Sequence, residues 1–269
     1  MKLSVLLSLY IHESPNFLDD CLASLYKQSR FPDEVVIVFD GPVTNELHDC
    51  VDKWSKYLPI VTIELDKNVG LGQALNIGLK TCSYNYVFRM DTDDICHPER
   101  LSQQLSFFKN NPDVGLLSCA VGEFKHSVKD IYAWRRLPLK HDEIIRFSKK
   151  RNPFNHMAVA FKKELVLNAG GYQNEYLYED YSLWIRMIQN GVITANLPET
   201  LVYARTGNGM AARRSGLKYA KSEYFAQVKF YKMGYLSFLE LLRNLAIRLP
   251  LRLVPVSLLS LLYSTVLRK

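Results

Sequence analysis

The sequence lacks several patterns that mark common kinds of site. Its five cysteines are odd in number, widely spaced and free of any C-x-x-C pair. This argues against a disulfide framework and a structural zinc site, and it favours a reducing compartment. Gly70 and Gly72 are not followed by the third glycine of a G-x-G-x-x-G motif or by the G-K-[ST] of a P-loop. Neither dinucleotide binding nor NTP hydrolysis is therefore supported.

The sequence also lacks the segments that carry a chain across a membrane. It has no continuous apolar run of the roughly 20 residues that a spanning helix needs. Its first residues pass directly into a strand-like apolar run, without the small-residue cleavage site of a signal peptide. We therefore expect the protein to stay in the cytoplasm.

The positive charge of the chain is concentrated in its tail. The net charge is +7, but the residues from Arg205 to the end hold 12 Lys and Arg against 2 Glu, a net charge of +10, which leaves −3 for the first 204 residues. Such an asymmetry suggests an anionic partner, either nucleic acid or a membrane surface. The hydrophobic fraction of 48% is sufficient for a sizeable core.

Apolar strands and helices alternate in the first 120 residues. The predicted strands are residues 3–10, 35–39, 60–65, 86–90 and 114–119, with helical apolar stripes between them. Uniformly apolar strands that alternate with helices predict an α/β fold, in which helices cover both faces of a mainly parallel sheet. Further along, residues 125–150 are predicted as a surface excursion, 155–161 as a strand, and 162–168 as a short helix.

Three carboxylates follow the fourth predicted strand within four positions, namely Asp91, Asp93 and Asp94. Side chains alternate along a strand, so Asp91 and Asp93 can leave its end on the same side, where two like charges need a cation. Oxygen ligands at this density suit Mg2+ or Mn2+ shared with substrate phosphates, although an isolated D-x-D can equally be a charged turn. Asp40 ends the second strand, and open sheets bind ligands at such ends.

Two further segments hold candidate site residues. Gly70 and Gly72 lie where the third predicted helix begins, a place where backbone can approach a ligand closely. Glu179 and Asp180 lie at the start of a helix whose Leu183 belongs to its core-facing stripe. The helix dipole favours acids at that position, so capping is one interpretation. The other is that this tyrosine-rich loop delivers an acid to the site.

Four segments in this order resemble the family-2 glycosyltransferases of the GT-A fold, the nucleotide-sugar enzymes of bacterial polysaccharide synthesis. They are residues 4–41, the N-V-G-L-G-Q-A-L-N-I-G-L run at 68–79, M-D-T-D-D at 90–94 and Y-E-D-Y-S-L-W-I-R at 178–186. The family often has two aspartates where this chain has Phe39 and Asp40, so the nucleotide contact rests on Asp40. The resemblance implies a GT-A domain at 1–205, with a nucleotide-binding half at about 1–120 and an acceptor half at about 121–205.

The resemblance also implies an inverting sugar transfer. Asp91 and Asp93 would hold Mn2+ or Mg2+ against the UDP diphosphate, and Asp180 would take the proton of the acceptor hydroxyl. The implied nucleotide-sugar contacts are Asp40, Lys67, Asn68, Gly70, Asp91 and Asp93, and the implied supporting residues are Glu179, Asp94, Trp184 and Arg186. His156 is interpreted as a core residue rather than a contact of the donor sugar.

The tail, residues 206–269, is predicted as a basic, amphipathic, helical extension. Helix-forming sequence covers 219–248, and the apolar run 253–267 is too short to span a membrane. It suits a segment that lies in the membrane interface, with its cations at anionic headgroups, although packing on the core is the alternative.

The resemblance to this family implies the reaction, and with the basic tail it implies where in the cell the reaction takes place. The expected reaction moves one sugar, galactose or glucose in β1,3 linkage, from a UDP-sugar to a polyprenyl-diphosphate-linked acceptor for O-antigen, capsule or exopolysaccharide. The enzyme would lie peripherally on the inner face of the plasma membrane, without a nucleic-acid partner. The alternatives are a nucleotidyltransferase of similar fold, whose usual Gly-rich start is absent here, and a non-catalytic module that binds anionic surfaces.

Overall fold

The computed structural model describes residues 1–207 and 216–253, and the strands of this part form one mixed sheet. The strands are β1 (Leu3–Leu9), β2 (Glu34–Phe39), β3 (Ile60–Glu64), β4 (Tyr86–Arg89), β5 (Ile95–Cys96), β6 (Val114–Phe124), β7 (Ala133–Arg135), β8 (Ala160–Lys162) and β9 (Ile193–Arg205). Their order is β3-β2-β1-β4-β8-β6-β9-β5, and β7 pairs with β6. The first four strands are mutually parallel, and β8 runs antiparallel to both β4 and β6.

Helices flank this sheet on both faces. They are α1 (Pro15–Tyr26), α2 (Asn45–Ser55), α3 (Leu71–Thr81), α4 (Arg100–Asn110), α5 (His141–Ser148), α6 (Lys163–Asn168), α7 (Glu179–Gln189), α8 (Leu217–Lys232) and α9 (Phe238–Leu253). The predicted α/β fold with a helical C-terminal extension is confirmed. None of the helices within the described ranges has the length and apolar character needed to cross a membrane.

The alternation of side chains along the buried strands divides the core into two layers. In β2, Val35 and Ile37 pack in the layer that contains α1, α2 and α4, whereas Val36 and Val38 pack in the layer that contains α3 and α7. All six residues of β2 are buried, as expected for an interior strand of a parallel sheet. The five cysteines are buried and free, in agreement with the prediction that they form no disulfide framework.

The structure corrects the sequence-based prediction in two segments. Residues 155–161 are not one strand, because the Ala158 N–H donates to the Asn155 carbonyl and closes a turn. The side-chain amide of Asn155 donates to the Cys119 carbonyl at 3.0 Å and holds this turn in place. A short 3-10 helix, His156–Ala158, therefore precedes β8. The excursion at 125–150 contains β7 and α5, whose Ile144 is fully buried.

One long strand was not predicted at all. Strand β9 spans 13 residues and pairs with β6 in parallel. Its middle, residues 196–200, includes Pro198 and Glu199 and has no apolar alternation. The register of the pairing shifts on both sides of Ala120, so a bulge absorbs the irregular residues. The periodicity that identifies a strand is lost at this point.

The described part of the tail packs on the sheet domain. Phe230 of α8 is fully buried and meets the ring of Tyr181 at 4.9 Å between centroids. A turn that contains Gly234, at φ +73°, separates α8 from α9, so the predicted helical stretch is two helices. The predicted interfacial segment, residues 253–267, lies outside the described residues except for Leu253.

Candidate active site

The carboxyl ends of three adjacent strands form the edge of the sheet at which two of the candidate residues, Asp40 and Asp91, emerge. Strand β1 lies between β2 and β4 and is parallel to both. Asp40 follows β2 and Asp91 follows β4 closely, so both emerge at the same edge of the sheet. This is the edge where open α/β sheets bind their ligands, at the point where the strand order reverses.

The three carboxylates after β4 are close enough to share one cation. One oxygen each from Asp91, Asp93 and Asp94 lies within 4.8 Å of the others. Burial, together with the charges of Asp91 and Glu13, raises the pKa of Asp93 to about 7. Burial and the charges of Asp91 and Asp93 also raise the pKa of Asp94, whose buried Oδ2 has no hydrogen-bond partner among the described residues. A divalent cation would relieve this repulsion, and the all-oxygen donor set is the kind that Mg2+ and Mn2+ prefer.

Arg205, at the end of β9, holds the loop that bears these carboxylates. Its backbone N–H donates to Asp94 Oδ1 at 2.9 Å, and its Nε donates to the Asp93 carbonyl at 3.1 Å. The guanidinium stacks on the ring of Phe17, 4.0 Å from the centroid. The sequence gives no local signal for this contact, because Arg205 lies more than 100 positions from the acids that it holds.

Arg89 is a buried cation among the carboxylates of the site, and it is not among the site residues predicted from the sequence. Only 2% of its surface is exposed, and its Nη2 forms an ion pair with Asp91 Oδ1. Its Nε and Nη1 find no hydrogen-bond partner in residues 1–207 and 216–253. Its charge also acts against the burial that raises the pKa values of Glu179 and Asp180. An arginine in an otherwise apolar strand, two positions before the first aspartate, is a signal that could have identified it.

Asp40 fixes the loop that leads into α3. Its Oδ1 accepts from the Val69 N–H at 2.6 Å, and its Oδ2 accepts from the Gly70 N–H and the Asn68 Nδ2, each at 3.1 Å. These donors include backbone groups at the beginning of a helix, where partners outside the helix are needed. Lys67, the neighbouring candidate, is exposed.

Gly41 is required where this loop passes over the end of β2, and Gly41→Ala is expected to destabilise the protein. Gly41 has φ +87°, and a Cβ built there would lie 2.6 Å from the backbone nitrogen of Asn68. Gly70→Ala is the matched control, since Gly70 has φ +89° but no described atom within 4 Å of a built Cβ. The positive φ alone costs about 1–2 kcal/mol in both variants, and the clash adds to it only at Gly41. Urea unfolding measures the difference, and equal losses would contradict the predicted clash.

Asp180 and Glu179 begin α7, as predicted. Asp180 Oδ1 accepts from the Tyr181 N–H at 2.6 Å and its Oδ2 accepts from the Asn152 side-chain amide at 2.7 Å. Burial raises the pKa of Asp180, and these hydrogen bonds limit the rise because they favour the ionised form. Burial and the adjacent Asp180 raise the pKa of Glu179 to about 7. Asn152 carried no recognisable signal in the sequence.

The remaining candidate residues lie in α7 or pack against it. Trp184 is fully buried, with its ring in contact with those of Phe154 and His156. Arg186 donates to the carbonyls of Ala169 and Gly171 and so ties α7 to the preceding turn. His156 Nε2 lies 3.1 Å from the hydroxyl of Tyr172. Burial lowers the pKa of this histidine, with a contribution from Arg89 in the same direction, so it stays neutral at physiological pH.

A cavity of about 340 Å³ lies beside the ends of β2 and β3. Its lining includes Phe39, Gly41, Pro42, His48, Leu65 and Asp66. The volume is at the lower end of the range for small-molecule pockets. The residues on either side of Asp40, Phe39 and Gly41, both belong to this lining, as does Asp66, which precedes the loop that Asp40 holds.

This α/β sheet, with a carboxylate cluster at its carboxyl edge, has the GT-A fold. The mannosyltransferase PcManGT from Pyrobaculum calidifontis, solved with GDP-Man and Mn2+, superposes with a TM-score of 0.68 over 98% of this chain and 75% of that one, at 19% identity. The sequence profile of the family described as Glycosyl transferase family 2 matches residues 4–166. The chain therefore belongs to glycosyltransferase family 2.

Two curated relatives match along the full chain. One, from Escherichia coli, is the UDP-Gal:alpha-D-GlcNAc-diphosphoundecaprenol beta-1,3-galactosyltransferase, 44% identical over 268 residues that cover 100% of this chain and 97% of the relative. The other is the amylovoran biosynthesis glycosyltransferase AmsE of Erwinia amylovora, 43% identical over 97% of both chains. The protein is thus a glycosyltransferase, and the alternatives of a nucleotidyltransferase and a non-catalytic module are set aside.

Proposed function

We propose that this glycosyltransferase moves a single galactose, in β1,3 linkage and with inversion, from UDP-galactose to a polyprenyl-diphosphate-linked saccharide in the assembly of a bacterial surface polysaccharide. The full-length identity to the E. coli galactosyltransferase supports the donor and the acceptor. The arrangement of the site carries the proposal: the buried Arg89 forms an ion pair with Asp91 of the acidic cluster, and its charge also favours the ionised forms of Glu179 and Asp180.

Asp91 and Asp93 are the proposed metal ligands, and Asp94 is close enough to serve as a third. Their oxygens form a compact hard-ligand set, and the buried Oδ2 of Asp94 has no described partner. A bound Mn2+ or Mg2+ would neutralise the charge that develops on the UDP diphosphate as the leaving group departs. Arg205 keeps the loop in place through Asp93 and Asp94, so the carboxylates remain close together without the cation.

Asp180 is the proposed general base. It accepts the proton of the acceptor hydroxyl as that oxygen attacks the anomeric carbon from the face opposite the leaving diphosphate, and inversion follows. Glu179 cannot share this role, because adjacent residues of a helix point about 100° apart. The Glu179 side chain instead packs over Gly72. A Cβ built on Gly72 would lie 3.0 Å from the Cβ of Glu179.

The nucleotide is proposed to lie along the ends of β1 and β2. Asp40 presents the 67–70 loop, and Lys67, Asn68 and Gly70 offer a cation and polar groups to the ribose and phosphates. The base would enter the cavity beside β2 and β3. Because both oxygens of Asp40 already accept hydrogen bonds, its contribution to binding is in large part the shape of this loop.

The exposed surface of α8 and α9 is proposed to rest on the cytoplasmic face of the membrane. The outer side of α8 carries Lys218 and Lys221, and Lys221 lies over the ring of the exposed Phe225. On α9, Leu239 is 76% exposed. The only acid in α8, Glu223, is buried. A face that combines cations with apolar side chains suits anionic headgroups above an acyl layer.

A donor panel tests the proposed reaction. Purified protein is incubated with UDP-galactose, UDP-glucose, UDP-N-acetylglucosamine or GDP-mannose and a synthetic lipid diphosphate that carries N-acetylglucosamine, with and without EDTA. We expect the highest turnover with UDP-galactose, its loss in EDTA, and its recovery on addition of Mn2+ or Mg2+. Turnover that survives chelation would contradict the metal role, and turnover with GDP-mannose alone would contradict the donor.

Vesicle sedimentation tests the membrane contact. The double change Lys218→Glu and Lys221→Glu is expected to weaken binding to phosphatidylglycerol vesicles by at least about 10-fold, since each cation near such a surface contributes about 1 kcal/mol. The control reverses two exposed lysines in the opposite helical layer, Lys27→Glu and Lys109→Glu. Equal losses in the two variants would mean that binding follows net charge and not this face.

A further inference from the structure

The two tail helices contact both of the segments that hold Asp180. One is the residue just before α7, Tyr178, and the other is the loop 149–152 after α5, which supplies the Asn152 amide to Asp180. These contacts are buried and specific, and they lie on the side of α8 and α9 opposite the exposed face described above.

Glu223 of α8 connects the tail to the beginning of α7. It is completely buried, and its Oε2 accepts a hydrogen bond of 2.5 Å from the hydroxyl of Tyr178. Its charge is balanced within the tail by Arg248 at 2.7 Å and Arg252 at 3.2 Å. A buried carboxylate with this set of partners is fixed in position, because breaking one of them would leave a charge uncompensated. Tyr178 is therefore anchored one residue before Glu179.

Side chains of α9 hold the loop that carries Asn152, with Asn244 and Arg248 in its two shortest hydrogen bonds to the loop carbonyls and Arg243 in a longer one of 3.5 Å to the Lys149 carbonyl. Asn244 donates to the Lys149 carbonyl at 2.8 Å, and the Nη1 of Arg248 donates to the Lys150 carbonyl at 2.6 Å. These carbonyls follow the C-terminus of α5, where a helix leaves acceptors unsatisfied and favours positive charge. The loop then places Asn152 Nδ2 2.7 Å from Asp180 Oδ2.

We propose that the α8–α9 pair is a working part of the acceptor side of the active site, in which Asn244 and Arg248 act as positioning residues for Asp180 through Asn152. The proposal rests on the proposed role of Asp180 as the base. It gives the tail a function beyond membrane contact: the same helices that meet the lipid surface orient the group that activates the acceptor. The donor half of the site, at Asp40 and Asp91, has no part in these contacts.

Three variants test the proposal: Asn244→Leu and Arg248→Lys, which remove contacts to the loop, and Asn152→Ala, which removes the direct contact to Asp180. We expect each to lower kcat by about 10- to 100-fold, because small displacements of a catalytic group carry such costs, with the KM for UDP-galactose changed less than 2-fold. Calorimetric binding of UDP with Mn2+ should match that of the wild type and serves as the check that the donor half is folded. Gln189→Met is the control, since it removes a tail contact, to the Met233 carbonyl, at the far end of α7.

The pH profile and a double mutant give the decisive readouts. Loss of the Asn152 donor disfavours ionised Asp180, so the acid limb of kcat should move to higher pH in all three variants. Among the described residues, the other charged or titratable groups that interact with Asp180 are Arg89, Tyr172, Glu179 and Tyr181, and none of them is changed. Asn244→Leu should add less than 3-fold to the loss in an Asn152→Ala background.

Different failures point to different errors. Unchanged kcat in a folded Asn244→Leu protein, losses that multiply in the double mutant, or loss of UDP binding together with activity in both tail variants would overturn the positioning role. If Asn244→Leu does not fold, Arg248→Lys alone decides between these results. A wild type without transfer, or an Asp180→Asn variant that keeps its activity, would instead overturn the proposed function itself.

Discussion

Asp180→Asn is expected to lower kcat by about 10³-fold while leaving the fold and the binding of UDP intact. Asparagine has nearly the same shape, and its amide oxygen can still accept from the Tyr181 N–H. Its amide nitrogen takes the place of the oxygen that accepts from Asn152, so that one hydrogen bond is lost. It cannot take a proton at neutral pH, so the contribution of general-base catalysis, about 10²- to 10⁴-fold, is lost. Transfer to the lipid acceptor is measured at saturating UDP-galactose, and UDP binding is measured by calorimetry.

Glu179→Gln is the matched control for this change. Glu179 is the adjacent acid on the same helix and is half-buried like Asp180, but its side chain packs over Gly72. We expect its replacement to cost no more than about 10-fold. Equal losses would mean that the two acids act as a unit, and a larger loss at Glu179 would reverse the assignment of the base.

The pH dependence of the wild type follows from the same geometry. Burial raises the pKa of Asp180 above the ordinary value for an aspartate, and only the ionised form can accept the proton. The rate of transfer should therefore fall as the pH drops through this raised pKa and should level off above it. In Asp180→Asn the residual rate should lose this acid limb, because the group that titrates is gone.

The fold was predictable where one kind of periodicity persisted. The first four strands and α3 were identified because apolar runs alternate with helical stripes, and this pattern alone places Asp40 and Asp91 at one edge of the sheet. Strand β9 was missed because a bulge interrupts its pattern, and segment 155–161 was misassigned because a turn closed by Asn155 overrides its apolar composition. Both errors arise from tertiary pairing.

The acids of the site were predictable, but their partners were not. Asp91 and Asp93 are recognisable as a dense local cluster, whereas Arg205 reaches the same loop from 111 positions away. Asn152 and Glu223 act through contacts that join the loop after α5, α7 and the tail, and no local pattern encodes such contacts. Arg89 lies between these cases, because a single cation in an apolar strand is visible in the sequence but gains its meaning only from the surrounding acids.

Asp93→Asn is expected to leave the thermal stability of the protein unchanged or higher while it lowers the activity. The Asp93 carboxylate lies within 4.8 Å of carboxylate oxygens of Asp91 and Asp94. Burial, together with the charges of Asp91 and Glu13, raises its pKa to about 7, so like charges repel one another here. A neutral amide removes this repulsion, so without added metal the midpoint of thermal unfolding should stay unchanged or rise by a few degrees. Stored repulsion of this kind is a common property of functional sites.

The same change should nearly abolish transfer. Loss of one of the proposed ligands removes several kcal/mol of stabilisation from the departing diphosphate, which corresponds to a decrease in kcat/KM of about 10³-fold. Asp91→Asn is a less clear test, because Asp91 also pairs with the buried Arg89 and its loss leaves that cation without its partner. Asp113→Asn, at an exposed position between α4 and β6, is the control for a general effect of charge.

Thermal shifts with Mn2+ and UDP provide the readout that connects the two effects. Ligands that bind the folded state raise its stability according to their concentration and affinity, so the wild type and Asp113→Asn should show a shift that EDTA removes. Asp93→Asn should show none, although it is at least as stable as the wild type without ligand. A variant that loses activity but keeps the full Mn2+-dependent shift would mean that Asp93 serves the reaction by some route other than the metal. A variant that is strongly destabilised without metal would show that Asp93 holds the loop together and does not strain it.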